Sequence, residues 1–275
     1  MQLKIELSDQ KNRGAQMSVL DRFRLDGKRV FITGGSRGLG REMALALADA
    51  GADIILTGRD VSSLNQTVAE IKRFGQDAIP IKADMSDTND CQKACELVLE
   101  KYGPINVLIN NVGGRRESIP TEEMSLDTWY KYIDLNLTHV FLCTKLIGGS
   151  MIKKGHGGRV INISSINAWN AIRFLQGRHY ETAKAAIVQF TRSLAIDWAP
   201  HRITVNAICP GLFMTEPNIK WSTDNPEEIK SLIDRIPGRE TGKPEDLGPL
   251  AVYLASDASS YINGASIVID GGFTC

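Results

Sequence analysis

What this chain lacks narrows it first. In 275 residues no apolar run approaches the roughly 20 that a membrane-spanning helix needs. The amino-terminal stretch has neither the apolar core nor the small-residue cleavage site of a secretory signal, so a cytoplasmic protein without a membrane partner is expected. Neither charge is in excess: 32 basic and 32 acidic residues cancel, so the balance gives no reason to expect a nucleic acid, and any anion preference must be local. Cysteines are few. Cys91, Cys95, Cys143, Cys209 and Cys275 are odd in number and show neither CxxC spacing nor an adjacent histidine cluster. Free thiols and no metal site are expected, with Cys91 and Cys95, four apart on a helix, acting as small apolar packing. There is also no linker, and 43% apolar content suffices for one large core.

What is present is an alternation. Short β-branched runs recur at Arg29–Thr33, Asp53–Thr57, Ala78–Ala83, Ile105–Asn110, Arg159–Ser164, Arg202–Ile208 and Ser266–Asp270. Helical patterns separate most of them, at Gly38–Ala50, Ser62–Phe74, Thr88–Tyr102, Leu126–Lys154, Tyr180–Ala199, Pro226–Ile236 and Pro244–Ala255. The central runs VFIT, DIILT and VLIN are apolar at consecutive positions, as strands covered on both faces must be. The pattern predicts an α/β fold: one doubly wound parallel sheet of about seven strands with helices on both faces. Residues 1–24 fit no βαβ unit and read as an extension ahead of a single domain at 25–275, with Met17 as a second possible start.

Directly after the first run comes Thr33-Gly34-Gly35-Ser36-Arg37-Gly38-Leu39-Gly40, which opens a helix. Glycines allow a sharp turn and close approach, and a helix N-terminus presents unpaired N–H groups, so a phosphate suits this place. The spacing is GxxxGxG, not GxGxxG, and a tight connection is the alternative. After the second strand stands Thr57-Gly58-Arg59-Asp60, with no carboxylate at the strand end to bond a ribose 2′-hydroxyl. Arg37 and Arg59 instead suit a 2′-phosphate, which favours NADP over NAD; solvated arginines are the alternative.

Tyr180 and Lys184 are four apart at the start of a helix, hence on one face. A phenol of ordinary pKa near 10 needs about 4 kcal/mol to act as a base near pH ~7, and one ammonium ~4 Å away at an effective dielectric of ~20 supplies about that. A half-buried ring beside a solvated charge is the plainer reading of YxxxK. Upstream, the fifth strand ends in Ser164-Ser165, where α/β sheets hold ligands and where a hydroxyl can bond a reacting oxygen or merely make a turn.

With these motifs in hand, the chain resembles the short-chain dehydrogenase/reductase family from about Leu25 to Gly272. The resemblance rests on TGGSRGLG, Asp84 after the third strand, Asn110-Asn111-Val112-Gly113 after the fourth, Asn136, Ser165, the YxxxK pair and Pro210-Gly211 after the sixth. It implies a Rossmann-type domain that interconverts an alcohol and a carbonyl by hydride transfer. It implies Tyr180 as general acid/base, Ser165 as the orienting hydroxyl, Lys184 as a ribose ligand that lowers the tyrosine pKa, and Asn136 as holder of a relay water. Gly34, Ser36, Arg37, Gly38, Leu39, Arg59, Asp84, Met85, Asn111, Val112, Gly113, Pro210, Gly211, Leu212 and Thr215 would line the cofactor, with Tyr180 and Lys184. A homotetramer pairing Leu126–Lys154 and Tyr180–Ala199 is also implied. Val112 stands where the family has alanine, and Ile166–His179 is about two residues longer than the usual spacing, which leaves Ser164 in contention with Ser165.

The substrate belongs to three variable segments: 114–120, 166–179 and a lid over about 212–237. Arg115-Arg116 follows NNVG and resembles the arginine pair of gluconate 5-dehydrogenase and deoxygluconate 3-dehydrogenase; an anion clamp and a solvated pair are the two readings. Arg173, Arg178 and His179 beside Tyr180, with Asn167, Trp169 and Asn170, suggest a cationic pocket with an aromatic wall, although a lone His179 is as readily a surface residue. The expectation is a small anionic substrate, a sugar acid of gluconate type, with Arg115, Arg116, Ser165, Asn167 and Tyr180 touching it. A 3-oxoacyl-[acyl-carrier-protein] reductase and a non-catalytic dinucleotide-binding regulator are the alternatives.

Overall fold

The computed structural model describes residues 18–115 and 117–275. Arg116, Met17 and most of the expected extension therefore lie outside the described residues. Seven parallel strands, β1 (Arg29–Ile32), β2 (Asp53–Gly58), β3 (Ala78–Lys82), β4 (Val107–Asn110), β5 (Gly158–Ile163), β6 (Ile203–Pro210) and β7 (Ser266–Ile269), form one sheet in the order β3-β2-β1-β4-β5-β6-β7. The order reverses between β1 and β4, which opens a crevice at their carboxyl ends.

The consecutive apolar runs are buried on both faces, as predicted: Val30, Phe31, Ile32 and Thr33 are all fully covered. Alternate residues serve opposite layers. Val30 and Ile32 join Met43 and Leu47 of α1 (Gly38–Asp49) and Leu254 of the helix Leu247–Ala255. Phe31 faces the other way, toward Val98 of α3 (Thr88–Tyr102) and Ile147 of α4 (Leu126–Lys154). The remaining helices are α2 (Val61–Ile71), α5 (His179–Trp198), α6 (Glu216–Asp224), α7 (Pro226–Ile233) and α8 (Leu247–Ala255). Asp60, Asp87 and Ser125 cap α2, α3 and α4 by accepting from amides of the first turn.

Three details differ from the sequence reading. The 212–237 segment holds two helices, α6 and α7, where only the second was expected. Packing begins before Leu25: a 3-10 turn at Leu20–Phe23 stacks Phe23 on Tyr253 at 5.7 Å, and Arg22 donates to the Asp257 carbonyl. The 29-residue α4 is long and apolar enough to cross a membrane, yet it packs against α3 and α5 with 44% of its most apolar window buried. It also widens into π turns at Asp134–Thr138 and Thr144–Gly148.

Gly40 has the tightest surroundings among the described glycines. A Cβ there would fall 2.1 Å from the Gly34 carbonyl oxygen and 2.5 Å from Asn111 Nδ2. Gly40→Ala should therefore lower stability by about 1–3 kcal/mol. Gly149→Ala, in α4 with nothing within 4 Å of the new methyl, should raise it by about 0.5–1 kcal/mol. Denaturant melts check the pair, and equal effects at the two sites would contradict this packing.

Candidate active site

The crevice is walled by the glycine turn after β1. Thr57 Oγ1 accepts from the Gly34 amide at 3.1 Å, and Asn111 Nδ2 donates to the Thr33 and Gly34 carbonyls at 3.0 and 3.1 Å. The turn is thus fixed from β2 and from the loop after β4. Arg37 occupies the N-cap of α1 and provides no side-chain cap, and no acidic residue stands in the first turn. The amides there are left for an outside anion, so the cradle fits the pyrophosphate of a dinucleotide. Val112, the departure from the family pattern, lies against Gly34, whose missing Cβ would meet Val112 Cγ2 at 2.9 Å. Leu39 packs on the core beneath, and Ser36 accepts through its carbonyl from Thr67.

Across the crevice the proton-transfer candidates converge. Lys184 is 2% exposed, and its Nζ donates to the Ile163 carbonyl at 2.8 Å. Ser164 Oγ donates to the Lys184 carbonyl at 2.8 Å, anchoring α5 to the end of β5. That bond commits Ser164 to structure. The Ser165 hydroxyl accepts from the Asn167 amide at 3.1 Å, and the Asn167 Oδ1 is buried without a hydrogen-bond partner among the described residues. Asn136 sits in the first π turn of α4, a feature the sequence pattern did not signal. Its Oδ1 accepts from the Gly114 amide at 2.8 Å, and its Nδ2 donates to the Tyr132 and Gly114 carbonyls at 3.0 and 3.3 Å. A π turn releases a carbonyl from the regular ladder, and Asn136 takes up that of Tyr132. Gly113 (φ +156°) passes between: a Cβ there would lie 2.9 Å from Asn136 Oδ1 and 3.0 Å from Lys184 Nζ.

Cations approach the Tyr180 ring from two residues. Lys184 Nζ is 5.7 Å and the Arg115 guanidinium 5.1 Å from its centroid. Arg115 is not solvated. Its side chain is 12% exposed, pairs with Glu181 at 2.5 Å and donates to the Gln176 carbonyl at 2.9 Å. Arg178 also reaches Glu181, at 3.0 Å.

One member of the cationic pocket expected in 166–179 is corrected here. His179 is fully buried, not a surface residue, and stacks on Tyr132 at 4.1 Å. Burial, then the nearby Arg115 charge, pushes its pKa down, so it adds no cation. Asn170 turns back to the Ile166 carbonyl and Trp169 is exposed. The aromatic contact in this region is Phe174 on Trp221 of α6, at 6.4 Å.

Beyond the ends of β2 and β3, an open cleft of about 380 Å³ is lined by Arg59, Lys82, Ala83, Asp84 and Asp90. Lys82, read from the sequence only as a strand residue, also lines it. Arg59 lies 3.5 Å from Asp84 and Arg37 lies 3.6 Å from Glu216, both exposed, loose pairs. Burial raises the Asp84 pKa, but bonds from Ser86 and the Arg59 charge outweigh it and the net shift is downward. Met85 is buried behind. Pro210 ends β6, Gly211 donates to the Ile269 carbonyl, and Leu212 accepts from Gly242. Thr215 comes against Gly38, so the start of the 212–237 segment touches the glycine turn.

Elsewhere, Cys91, Cys95 and Cys143 meet in the core, although no spacing groups Cys143 with the other two. His139, also in α4, is fully buried, and burial holds its pKa down to about 4.

Comparison with known proteins agrees with this geometry. A family model described as Enoyl-(Acyl carrier protein) reductase matches residues 34–274. The chain is 37% identical over 257 residues to a 2-dehydro-3-deoxy-D-gluconate 5-dehydrogenase of Dickeya dadantii, spanning 93% of this chain and 98% of that one. It is 34% identical over 254 residues to a 3-oxoacyl-[acyl-carrier-protein] reductase of Synechocystis, spanning 90% and 97%. A solved gluconate 5-dehydrogenase from Burkholderia cenocepacia, in complex with NADP and tartrate, superposes with a TM-score of 0.85 at 33% identity over 94% and 99% of the two chains.

Burial pushes Lys184 down from 10.5 to about 8, roughly 3 kcal/mol against its charged form. Below that value both folded and unfolded chains hold the proton, and the penalty is present in full. Between about 8 and 10.5 the unfolded chain binds a proton that the folded chain gives up, so stability rises with pH. Lys184→Met should therefore melt higher than the wild type at about pH 7, by a margin that shrinks toward about pH 10. Thermal melts across that range test it; a margin independent of pH would contradict it.

Proposed function

The chain belongs to the short-chain dehydrogenase/reductase family and is an oxidoreductase acting on CH–OH groups; from that premise we propose that it interconverts a gluconate-type sugar acid and its keto form, using NADP in preference to NAD. The observation that carries the substrate class is the Arg115 guanidinium over the Tyr180 ring, held by a carboxylate. Glu181 occupies the position where a substrate carboxylate would compete for the same fork. The buried, unpartnered Asn167 Oδ1 beside Ser165 is an acceptor suited to a substrate hydroxyl. The Dickeya and Burkholderia relatives named above are sugar-acid dehydrogenases by name, and tartrate, bound in the latter, is a hydroxylated acid.

NADP supplies the hydride acceptor. Tyr180 takes the hydroxyl proton of the alcohol, or returns it to the carbonyl oxygen in reduction. Lys184 and Arg115 favour its phenolate, and Lys184 would also hold the ribose of the cofactor. Ser165 donates to the reacting oxygen and so orients it. Asn136 keeps the 113–114 loop in place and, beside Lys184, holds a relay water. Arg59, Lys82 and Arg37 would hold the 2′-phosphate, for which Arg59 and Arg37 would release the exposed carboxylates of Asp84 and Glu216. Gly34, Ser36, Gly38, Leu39, Asp84, Met85, Asn111 to Gly113 and Pro210 to Thr215 line the dinucleotide. The α6–α7 segment closes over the substrate.

Exposed Leu126, Tyr130 and Phe141 on α4, Ile196 on α5 and Val268 on β7 support a homotetramer built on those faces. A cytoplasmic place accords with this reading. The acyl-carrier-protein reductase alternative needs Arg115 turned outward to an acidic carrier surface, and its inward seat on Tyr180 disfavours that.

Steady-state assays with NADP, gluconate-type acids and an acetoacetyl thioester test the proposal. The sugar acid should be turned over with a kcat/KM at least about tenfold above the thioester, the worth of one charge-assisted bond. Thioester reduction without sugar-acid turnover would overturn the substrate, and an NAD KM equal to or below that for NADP would overturn the cofactor preference.

A further inference from the structure

Helices α3 and α4 lie against one another on one side of the sheet, and each contributes a pair of residues four apart: Cys91 and Cys95 from α3, His139 and Cys143 from α4. Residues at that spacing share a helix face. The Cys91 and Cys143 sulfurs are 3.6 Å apart, those of Cys95 and Cys143 3.7 Å, and all three lie within 4.8 Å of one another. All are free thiols with no exposure. Around a tetrahedral zinc ion with Zn–S bonds of about 2.3 Å, the sulfur–sulfur edges are about 3.8 Å.

Thiols that only fill space reach similar contact, so the sulfurs alone do not decide. The separate observation is His139. It is 1% exposed, and neither ring nitrogen has a hydrogen-bond partner among the described residues. The main-chain carbonyls of Asp134 and Leu135, one turn back, give the ring only weak contacts, which raise its pKa slightly against the larger effect of burial. A buried imidazole in that state is costly unless something binds it. It stands one helical turn before Cys143 and within electrostatic reach of Cys91.

We propose that Cys91, Cys95, Cys143 and His139 form a buried Cys3His site for a soft divalent cation of the zinc type. His139 stands outside the 4.8 Å cluster of sulfurs, so its ring would have to turn toward them to supply the fourth bond. Binding releases three thiol protons to solvent and moves no electrons. The filled site carries one net negative charge, and the Lys184 ammonium lies within electrostatic reach of His139 to oppose it. Four protein ligands leave no open position, so the site is structural and does not take part in the hydride chemistry. It would clamp α3 to the segment of α4 that directly follows Asn136.

The test uses full-length protein, reduced and stripped with a chelator, then titrated with Co2+. One equivalent per chain should develop thiolate charge-transfer and tetrahedral d–d bands, be displaced by Zn2+, and raise the melting temperature. Cys143→Ser should weaken Co2+ at least tenfold, whereas Cys275→Ser, at the exposed cysteine, should leave affinity and bands unchanged. Absence of a stoichiometric tetrahedral spectrum on the wild-type protein overturns the proposal without reference to any variant. So does a band that survives Cys143→Ser or disappears in Cys275→Ser.

Discussion

The site depends on one buried ammonium. Lys184 is covered on every side, with the Ile163 carbonyl as its hydrogen-bond acceptor, and the surrounding chain is arranged to keep it there. Ser164 ties the Lys184 main chain to the end of β5, Gly113 lets the loop after β4 pass within contact of its Nζ, and the Asn136 amide holds that loop on the other side. A charge buried with so few partners lowers stability, and its persistence is intelligible as the cost of placing a cation beside Tyr180. The rigid β4–β5–β6 sheet supports it, with fully covered residues through β6.

Much of this was legible in the sequence because it rests on local rules. Val30–Thr33 and Ile54–Thr57 read as doubly covered strands because no polar residue interrupts them, and the glycines of 34–40 announced a turn that a side chain would block. Tyr180 and Lys184 shared a face by spacing alone. The π turn was not legible: a change from four- to five-residue bonding at Asp134–Thr138 leaves no mark in composition, so Asn136 was placed only by resemblance. Contacts between distant segments were equally silent. Arg115 meets Glu181, and Cys143 meets Cys91 and Cys95, only after the sheet brings their elements together. His179 followed the usual expectation for a lone histidine and broke it because Tyr132 of α4 covers its ring. The helix α6 escaped notice because its apolar residues, Pro217, Ile219 and Trp221, are few and none of them is buried.

The two ends of the crevice use charge differently. At the outer end Arg37 and Arg59 are exposed and loosely paired, so an anion can exchange with their carboxylates at little cost in screened solvent. At the catalytic end Arg115 and Glu181 are each 12% exposed, and the pair sits where the dielectric is lower and partner exchange is more selective. On the proposed reading, affinity is drawn from the outer end and discrimination from the inner one.

The central claim is that Tyr180 moves the proton while the rest of the crevice binds and orients. Tyr180→Phe removes a single oxygen and leaves the ring between its cations. With the best substrate found, turnover should fall by about 10²–10⁴-fold, while NADP affinity measured by fluorescence titration stays within about twofold of the wild type, less than a single neutral hydrogen bond contributes. A variant that keeps wild-type turnover would contradict the account.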